Sequence, residues 1–445
     1  MVRRPPDRAR RVAYDALRSV HANDAYANLV LPRLLTEREL GERDSAFATE
    51  LVAGTCRMEG TYDTILVAAS GRALTTLQPA VVDLLRLGAH QVLAMRVPTH
   101  AAVAAMVDLA AGAVGERVTG VVNAVLRRVA AYDLATWLDR LSAGLDERDR
   151  LALVTAHPRW VVDAYADRLP GPELTAALEA DNQSPEIALA VRPGLATVAD
   201  LVAAGARPGR LSPYAAAWSG NPANLDAVRR GRAGVQDEGS QLVALGLARA
   251  DAPAGPWLDL CAGPGGKTAL LAGLAATSGA RVVAAELALH RAHLVVGGSR
   301  AYPTGQRPAV IVADGTRPAW RPGSFARVLA DVPCSGLGAL RRRPESRWRR
   351  SPAAVESLHP LQLGLLAAAL DAAAPGGVVA YVTCSPHRRE TLDVVEETLS
   401  ARPDVEVIPA AELLPEVAEA AGPPYLQLWP HRNGTDAMFA AYLRR

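Results

Sequence analysis

The stretch Leu-Asp-Leu-Cys-Ala-Gly-Pro-Gly-Gly-Lys-Thr, residues 258–268, decides the fold predicted for this chain. It begins at the apolar end of a strand, passes through a glycine-rich turn and continues into an Ala/Leu-rich segment typical of a helix. Beyond Gln236, strand runs keep alternating with helical segments. This alternation predicts a parallel α/β sheet. Seven strands are expected, at 257–261, 281–285, 309–313, 326–330, 377–383 and a late pair near 425–429 and 437–443.

The glycine-rich turn differs from two known nucleotide-binding motifs. A Walker A loop needs its first Gly at the position of Cys261, and a dinucleotide fingerprint that starts at Gly263 needs its third Gly at Thr268. Both motifs therefore fail. A Gly-x-Gly turn remains, in which backbone N–H groups can approach a ligand closely.

Two acidic residues support a nucleoside ligand at this turn. Glu286 follows the second strand run, where a carboxylate can accept hydrogen bonds from ribose hydroxyls, and Asp314 follows the third, where it can accept one from an adenine amine. Each carboxylate taken alone is at least as well explained by a solvated or capping role. Together they favour S-adenosylmethionine.

Two cysteines, Cys334 and Cys384, each stand directly after a short apolar run. Ligands of open parallel sheets lie outside the carboxyl ends of the strands, so both thiols are expected in one crevice. A lone Cys is more often a small buried hydrophobe, which is our interpretation of Cys56, but two thiols at two strand ends favour a reactive site. Lys267, the only lysine among 48 basic residues, lies in the glycine-rich turn.

Composition limits the class of protein. The 445 residues are 50% hydrophobic and 21% charged, which indicates a globular chain long enough for two or three domains. No apolar run of membrane-spanning length and no secretory signal is evident, so we expect a cytoplasmic protein. Four cysteines fit a reducing compartment, and without a CxxC or His/Cys cluster we expect no metal. A net charge of +2 does not by itself indicate nucleic acid. We expect a monomer.

Three domains are predicted. Residues 1–140 have helical periodicity, with helices expected at 80–93, 101–111 and 118–129 and a capping box at 36–39, which indicates an all-α bundle. Residues 141–235 carry weaker signals and form a small connecting module, and residues 236–445 hold the parallel sheet.

The residues that carry a family resemblance occur throughout the chain. In the C-terminal half they are Cys-Ala-Gly-Pro-Gly-Gly-Lys-Thr at 261–268, Asp-Val-Pro-Cys-Ser-Gly at 331–336, Thr-Cys-Ser at 383–385, and the segments 235–241 and 431–439; in the N-terminal half they are 97–103 and 120–127. The first set resembles the RNA cytosine-C5 methyltransferases, and the second resembles the NusB-type RNA-binding domain. The combination resembles the small-subunit ribosomal RNA methyltransferase B group (Fmu/Sun type). Gly263 and Val332 depart from the Ala that many relatives carry.

The resemblance implies a multidomain fold: a NusB-like bundle, a small α/β module and a Rossmann-like class I methyltransferase domain. It implies methyl transfer from S-adenosylmethionine to C5 of a cytosine in small-subunit ribosomal RNA. Cys384 would be the nucleophile, Cys334 would assist release, and Asp331 and Lys267 would hold the base. The cofactor-binding residues would be Cys261, Ala262, Gly263, Pro264, Gly265, Gly266, Lys267, Glu286, Arg291, Asp314 and Asp331.

RNA contacts are predicted from local arginine clusters. The first comprises Arg341, Arg342, Arg343, Arg347 and Trp348, which combine phosphate-binding charge with a stacking ring. A second lies within residues 3–11, where RNA contact and a solvated face are equally well supported. Transfer RNA as substrate and a non-catalytic RNA-binding assembly factor remain alternatives. An amino-group methyltransferase is disfavoured, because its fourth strand typically ends in Asn/Asp-Pro-Pro-aromatic, whereas Asp-Val-Pro-Cys stands here.

Overall fold

The computed structural model describes residues 7–445, which form two compact units. The helical unit comprises the described residues up to Ala166 together with Gly171–Asn182 and Leu340–Arg349. The sheet unit comprises Asp167–Pro170, Gln183–Ala339 and Arg350–Arg445.

The α-helices in chain order are α1 (Arg8–Ala22), α2 (Ala27–Glu37), α3 (Glu42–Ser70), α4 (Pro79–Leu93), α5 (Thr99–Ala113), α6 (Thr119–Val129), α7 (Leu134–Ser142), α8 (Glu147–Thr155), α9 (Arg159–Ala166), α10 (Gly171–Ala180), α11 (Val198–Ala203), α12 (Asp226–Arg229), α13 (Glu238–Arg249), α14 (Gly266–Thr277), α15 (Leu289–Ser299), α16 (Ser346–Arg349), α17 (Pro352–Ala372), α18 (Leu392–Ala401), α19 (Ala410–Leu413) and α20 (Pro430–Asn433).

The strands are β1 (Ile187–Val191), β2 (Arg207–Pro208), β3 (Ala215–Trp218), β4 (Ala233–Val235), β5 (Trp257–Asp259), β6 (Val282–Glu286), β7 (Ala309–Val312), β8 (Phe325–Asp331), β9 (Ala373–Thr383), β10 (Glu406–Ile408), β11 (Ala421–Gly422), β12 (Tyr425–Gln427) and β13 (Phe439–Arg444).

The helical unit is built around the long helix α3, which packs against α1, α4 and α6. The helices expected at 80–93, 101–111 and 118–129 are α4, α5 and α6, and Cys56 of α3 lies in the core as predicted. The predicted capping box at 36–39 is wrong. Thr36 lies in the last turn of α2, where its hydroxyl donates to the Pro32 carbonyl, and α3 begins only after Gly41.

The domain boundaries differ from the predicted ones. The expected boundary at residue 140 falls inside α7, and the helices α8 to α10 belong to the helical unit. One reason is tertiary: the Thr61 hydroxyl of α3 donates to the Leu153 carbonyl of α8 at 2.8 Å. The predicted connecting module is therefore divided, and its residues from Gln183 onward join the sheet unit.

The arginine-rich segment Leu340–Arg349 also belongs to the helical unit, although the sequence associates it with the sheet. Arg347 is fully buried, and its guanidinium donates to the Ala156 carbonyl, the Asp181 carbonyl and the Asn182 side chain. The Trp348 indole donates to the Cys56 carbonyl at 2.8 Å. The structure thus corrects the prediction for Arg347, because its fully buried guanidinium is used by carbonyl groups of the helical unit. Trp348 is half-buried, and its contact with RNA stays a prediction.

The remaining arginines of the two clusters lie in different environments. Arg341 is buried, Arg342 is half-buried, and Arg343 is exposed with its guanidinium over the Tyr26 ring. Residues 3 and 4 of the N-terminal cluster lie outside the described part of the chain. Within the described part of that cluster, Arg8, Arg10 and Arg11 bond to the Arg38 carbonyl, Gln91 and Asp15, respectively.

We expect Arg347→Ala to destabilise the helical unit by about 3 kcal/mol, because it leaves buried carbonyl groups without their charged donor. Urea unfolding of the full-length chain, followed by circular dichroism, measures this change. Arg343→Ala is the matched control and should cost at most about 1 kcal/mol, the scale of an exposed cation–π contact. Equal stability of the two variants would contradict the structural role of Arg347.

The sheet unit begins with a small βαββαβ module. Its strands are antiparallel, in the order β2-β3-β1-β4, which is a ferredoxin-like arrangement. Helices α11 and α12 connect them, and Leu201 and Leu225 pack with strand residues such as Leu189 in one core.

The second sheet has nine strands in the order β11-β12-β13-β9-β8-β5-β6-β7, with β10 paired to β13. Strands β5 to β9 are parallel, and β13 is antiparallel to β9. The chain first extends the sheet from β5 to β6 and β7, and then returns to the other side of β5 to form β8 and β9. The strand order therefore reverses between β5 and β8, and ligands of such sheets bind at this switch point. The predicted parallel α/β sheet is confirmed.

Helix α17 is the one helix in the described residues that is long and apolar enough to cross a membrane by length and composition. Its buried leucines 365, 366 and 370 pack against the sheet with Val328 and Val379. Its apolar composition is thus explained by the core of the sheet unit.

Candidate active site

The glycine-rich turn connects β5 to α14 at the switch point. Gly265 is in the left-handed region with φ 107°, and a Cβ there would lie 2.9 Å from the Val295 Cα, so a side chain is excluded on both grounds. A Cβ on Gly263 would collide with the Glu286 carboxylate. The turn therefore presents bare backbone at the carboxyl edge of the sheet.

Glu286 and Arg291 hold this turn from the neighbouring β6–α15 connection. The Gly263 N–H donates to the buried Glu286 carboxylate at 2.9 Å, and the Arg291 guanidinium donates to the Gly263 carbonyl at 2.5 Å. Glu286 also accepts from the Ala288 N–H, but a carboxylate has lone pairs left for ligand hydroxyls. Asp314 follows β7 at the same edge, where the Thr316 hydroxyl and N–H lower the pKa of its carboxyl.

Lys267 and Asp331 form an ion pair between the turn and the end of β8, with Nζ and Oδ2 2.8 Å apart. Burial alone would lower the pKa of Lys267, yet the charge and hydrogen bond of Asp331 raise it above its ordinary value. The ammonium is therefore kept charged in a largely desolvated position.

Cys334 and Cys384 lie at the ends of the adjacent parallel strands β8 and β9, with their Sγ atoms 3.4 Å apart. The hydrogen bond from Cys334 lowers the pKa of Cys384, against the effects of burial and of Asp331, and Lys267 lowers it further. The same contact, together with burial, raises the pKa of Cys334. The pair thus favours a Cys384 thiolate that accepts from a Cys334 thiol.

Glu390 connects the two loops that carry Cys334 and Cys384. Its fully buried carboxylate accepts from the Ser335 N–H at 2.6 Å and from the Ser335 hydroxyl, which lies 3.2 Å from the Ser385 hydroxyl. The Gln362 amide donates to the Pro333 carbonyl and to Glu390. The residues that directly follow both cysteines are therefore joined in one buried network.

Two family models match this chain: "NusB family" over residues 7–131 and "16S rRNA methyltransferase RsmB/F" over residues 245–444. Among curated proteins, "Putative methyltransferase Rv1407" of Mycobacterium tuberculosis is 50% identical over 100% of this chain and 98% of its own length. "Ribosomal RNA small subunit methyltransferase B" of Sodalis glossinidius is 31% identical over 93% of this chain and 92% of its own length. The chain belongs to the RsmB/F family of 16S rRNA methyltransferases.

A solved structure, "Crystal Structure of PH0851", has a TM-score of 0.82 with this RsmB/F chain at 20% identity, over 100% of both chains. A second, "Crystal Structure Analysis of Methyltransferase Homolog Protein from Pyrococcus Horikoshii", has a TM-score of 0.53 over 67% of this chain. Both show the fold. The predicted order of a NusB region followed by an α/β methyltransferase domain is confirmed.

The RsmB/F family is S-adenosylmethionine-dependent. Most of the predicted site residues lie at one edge of the sheet. They are the residues of the glycine-rich turn, Glu286 and Arg291, the Lys267–Asp331 ion pair, and the two cysteines Cys334 and Cys384. Asp314 follows the next strand at this edge, without a contact to the others that the structure shows. Within residues 7–445, no group of three or more His, Cys, Asp or Glu side chains is placed to hold a metal.

The sequence reasoning missed two buried carboxylates of this RsmB/F site, Asp259 and Glu390. Asp259 ends β5 directly before the turn, so the strand-end argument used for Glu286 could have found it. No sequence signal marks Glu390, because only the tertiary fold brings it below the cysteine loops.

Asp259 is the last residue of β5, and its carboxylate accepts from the Thr268 hydroxyl at 2.6 Å. Burial raises the pKa of Asp259 to about 7, the Thr268 hydrogen bond opposes this, and the charge of Asp331 adds to it. Because the pKa is raised in the folded state, the stability that Asp259 contributes is complete below about pH 4 and is lost as the pH rises through 7.

We therefore expect the wild type to gain about 2 kcal/mol over Asp259→Asn when the pH falls from 7.5 to 5, since the variant lacks the titrating group. Urea unfolding at a series of pH values, without cofactor, measures the difference. The exposed control Asp139→Asn should show no such trend. A difference that is constant with pH would contradict the raised pKa of Asp259.

Proposed function

We propose that this chain methylates C5 of a cytosine in 16S ribosomal RNA through a covalent adduct between Cys384 and C6 of the base. The observation that carries this proposal is the 3.4 Å contact between the Cys334 and Cys384 sulfurs at the ends of β8 and β9, next to the Lys267–Asp331 ion pair. A contact between two reduced thiols that favours one thiolate suits nucleophilic catalysis.

The chemistry explains why a nucleophile is needed. Cytosine C5 is too electron-poor to take a methyl group directly. When the Cys384 thiolate adds to C6, the C5–C6 double bond opens and its electrons make C5 enamine-like, so C5 can form the new carbon–carbon bond. Lys267 and Asp331 hold the N3, N4 or O2 edge of the ring as it gains charge.

Release of the product reverses the addition. A base removes the C5 proton, the C5–H electrons restore the C5–C6 double bond, and the electrons of the C6–S bond return to the Cys384 sulfur. Cys334 assists here, because its thiol lies within hydrogen-bond distance of that sulfur and donates to the leaving thiolate. Glu390 positions both cysteines through Ser335 and Ser385.

The donor set of the neighbouring cleft fits the cofactor of the family. The backbone of the glycine-rich turn can approach a ligand closely, and the Glu286 carboxylate at this turn suits ribose hydroxyls. S-adenosylmethionine, when bound, supplies an electrophilic methyl group. Asp314 would accept from the adenine amine, and Arg291 would keep the turn in place.

The substrate base must leave any stack to reach the thiol, so we expect a single-stranded or opened segment of RNA. The NusB region would contribute further RNA contacts. Outside it, Arg343 is an exposed candidate for RNA contact. Ribosomal RNA as substrate implies a cytoplasmic site of action.

Bisulfite sequencing of ribosomal and transfer RNA from cells that lack this protein, with and without a plasmid-borne copy, tests the proposal. We expect one 5-methylcytosine of 16S ribosomal RNA to disappear and to return with the wild-type copy but not with Cys384→Ala. Loss of a transfer RNA site would support the alternative substrate. An unchanged cytosine methylation pattern in all RNAs would contradict C5 methylation.

A further inference from the structure

The carboxylate of Glu390 is bound to the residue that directly follows Cys334. It accepts from the Ser335 N–H at 2.6 Å and from the Ser335 hydroxyl. The residue has no exposed surface, its own N–H donates to the His387 carbonyl at 3.0 Å, and its carbonyl accepts from the Tyr381 hydroxyl at 2.8 Å. A negative charge is therefore held in a fixed and desolvated position next to Cys334.

The two cysteine sulfurs are held in place by backbone hydrogen bonds as well. The Gly338 N–H donates to the Cys384 carbonyl at 2.8 Å, and the Val332 N–H donates to the Val382 carbonyl at 3.1 Å. These bonds join the two loops that carry the cysteines without the help of a side-chain charge. The charge of Glu390 is thus free to have a second effect, on the chemistry of the thiols.

The charges that surround the two thiols differ. The hydrogen bond to Cys384 and burial raise the pKa of Cys334, and the charges of Cys384 and Glu390 raise it further. Tyr381 also lies near Cys334 but stays neutral, since burial raises the pKa of its hydroxyl. At Cys384 the hydrogen bond from Cys334 lowers the pKa. The charged groups that act on Cys384 are those of Asp331, Lys267 and Asp436.

We propose that Glu390 is a positioning residue whose buried negative charge keeps Cys334 as the protonated member of the pair and so assigns the role of nucleophile to Cys384. The inference rests on the proposed function, in which Cys384 attacks C6 of the base. Both sulfurs lie at strand ends of one site, 3.4 Å apart, so proximity alone does not decide between them. A thiolate on Cys334 would stand beside a second negative charge, whereas a thiolate on Cys384 has a thiol donor and the Lys267 ammonium near it.

Alkylation of one active-site thiol at a time, as a function of pH, tests this assignment without RNA or cofactor. In the full-length Cys384→Ser chain, Cys334 should react with iodoacetamide only above the ordinary thiol range, with a midpoint above about pH 8.5. Adding Glu390→Gln, which keeps the shape of the side chain and removes its charge, should lower this midpoint by about one pH unit or more. In the Cys334→Ser chain, Glu390→Gln should move the Cys384 midpoint by a smaller amount. Mass spectrometry of the labelled peptides identifies the thiol that has reacted.

Two further variants separate the charge of Glu390 from its hydrogen bonds. Ser335→Ala removes one hydrogen bond of the carboxylate and keeps the charge, so the Cys334 midpoint should stay high in the Cys384→Ser chain. Glu396→Gln is the matched control, at an exposed glutamate of α18 that pairs with Arg388, and should move neither midpoint.

Three results would overturn the proposal. They are a Cys334 midpoint at or below the ordinary thiol value while Glu390 is present, no shift or equal shifts of the two thiols in Glu390→Gln, and equal effects of Ser335→Ala and Glu390→Gln. The first result needs no change at Glu390, so it is decisive even if Glu390→Gln does not fold. Methyl transfer that survives Cys384→Ala would instead refute the proposed function and leave the alkylation profiles as they are, which distinguishes the two failures.

Discussion

Cys384→Ala is expected to reduce methyl transfer by more than about 10⁴-fold, beyond the 10²–10⁴-fold usually lost with one acid–base group. The reason is that C5 is never activated when no thiolate can add to C6. The Cys334 sulfur lies only 3.4 Å away but has a raised pKa, so it cannot replace the lost nucleophile. Transfer of tritiated methyl groups to 16S ribosomal RNA measures the loss.

Cys334→Ala should behave differently, because attack and methylation remain possible while release is slowed. We expect enzyme and RNA to accumulate as a complex that survives denaturing gel electrophoresis. Cys384→Ala should give no such band. Cys56→Ala, at a thiol in the helical core, is the matched control and should retain transfer without accumulating the complex.

The two cysteine variants can contradict the assignment in distinct ways. If Cys384→Ala forms the stable complex and Cys334→Ala does not, the roles are reversed. If both variants keep full activity, catalysis by cysteine is wrong and the two residues are structural.

Lys267→Met should lower methyl transfer by about 10²–10³-fold, the scale of losing one donor that stabilises developing charge. The ammonium holds Asp331 and also lowers the pKa of Cys384, so its removal should raise that pKa. The thiolate then forms only at higher pH. The acid limb of the pH–rate profile should therefore move to higher pH in this variant, which a structural defect alone would not cause.

Lys267→Arg is the matched control, because it keeps the charge but not the compact geometry of the ammonium. It should retain the wild-type position of the acid limb while losing part of the rate. A Lys267→Met profile with an unshifted acid limb would contradict an effect of Lys267 on the Cys384 thiolate. Binding of S-adenosylhomocysteine by each variant shows whether the cofactor site is intact.

The local sequence predicted the elements that have strong hydrophobic periodicity or clear glycine and proline breaks at their ends. The strands expected at 281–285, 309–313 and 326–330 are β6, β7 and β8, and the helices expected around residues 80–129 are α4 to α6. The secondary structure of such segments can be predicted, because burial of one face requires apolar residues at a regular spacing along the segment. The short edge strands β10 and β11 lack such a period and were missed.

The environment of the arginine-rich segment 340–349 could not be predicted from its local sequence. Its composition is that of an RNA-binding surface, but Arg347 is buried among backbone carbonyls contributed by residues more than 160 positions away. Composition alone cannot distinguish a guanidinium that binds phosphate from one that donates to buried carbonyl groups, because phosphate oxygens and carbonyl oxygens are both hydrogen-bond acceptors. Glu390 was missed because only the tertiary fold brings its carboxylate to Ser335.

The sequence by itself determined the parallel sheet, the glycine-rich turn and the two strand-end cysteines, because in each case the signal lies within one short segment. Only the tertiary structure decided that the sulfurs of Cys334 and Cys384 touch, that Glu390 supports both loops, and that the segment 340–349 packs in the helical unit. These features depend on distances between residues far apart in the chain. Such distances are fixed by the packing of whole elements and leave no local trace in the sequence.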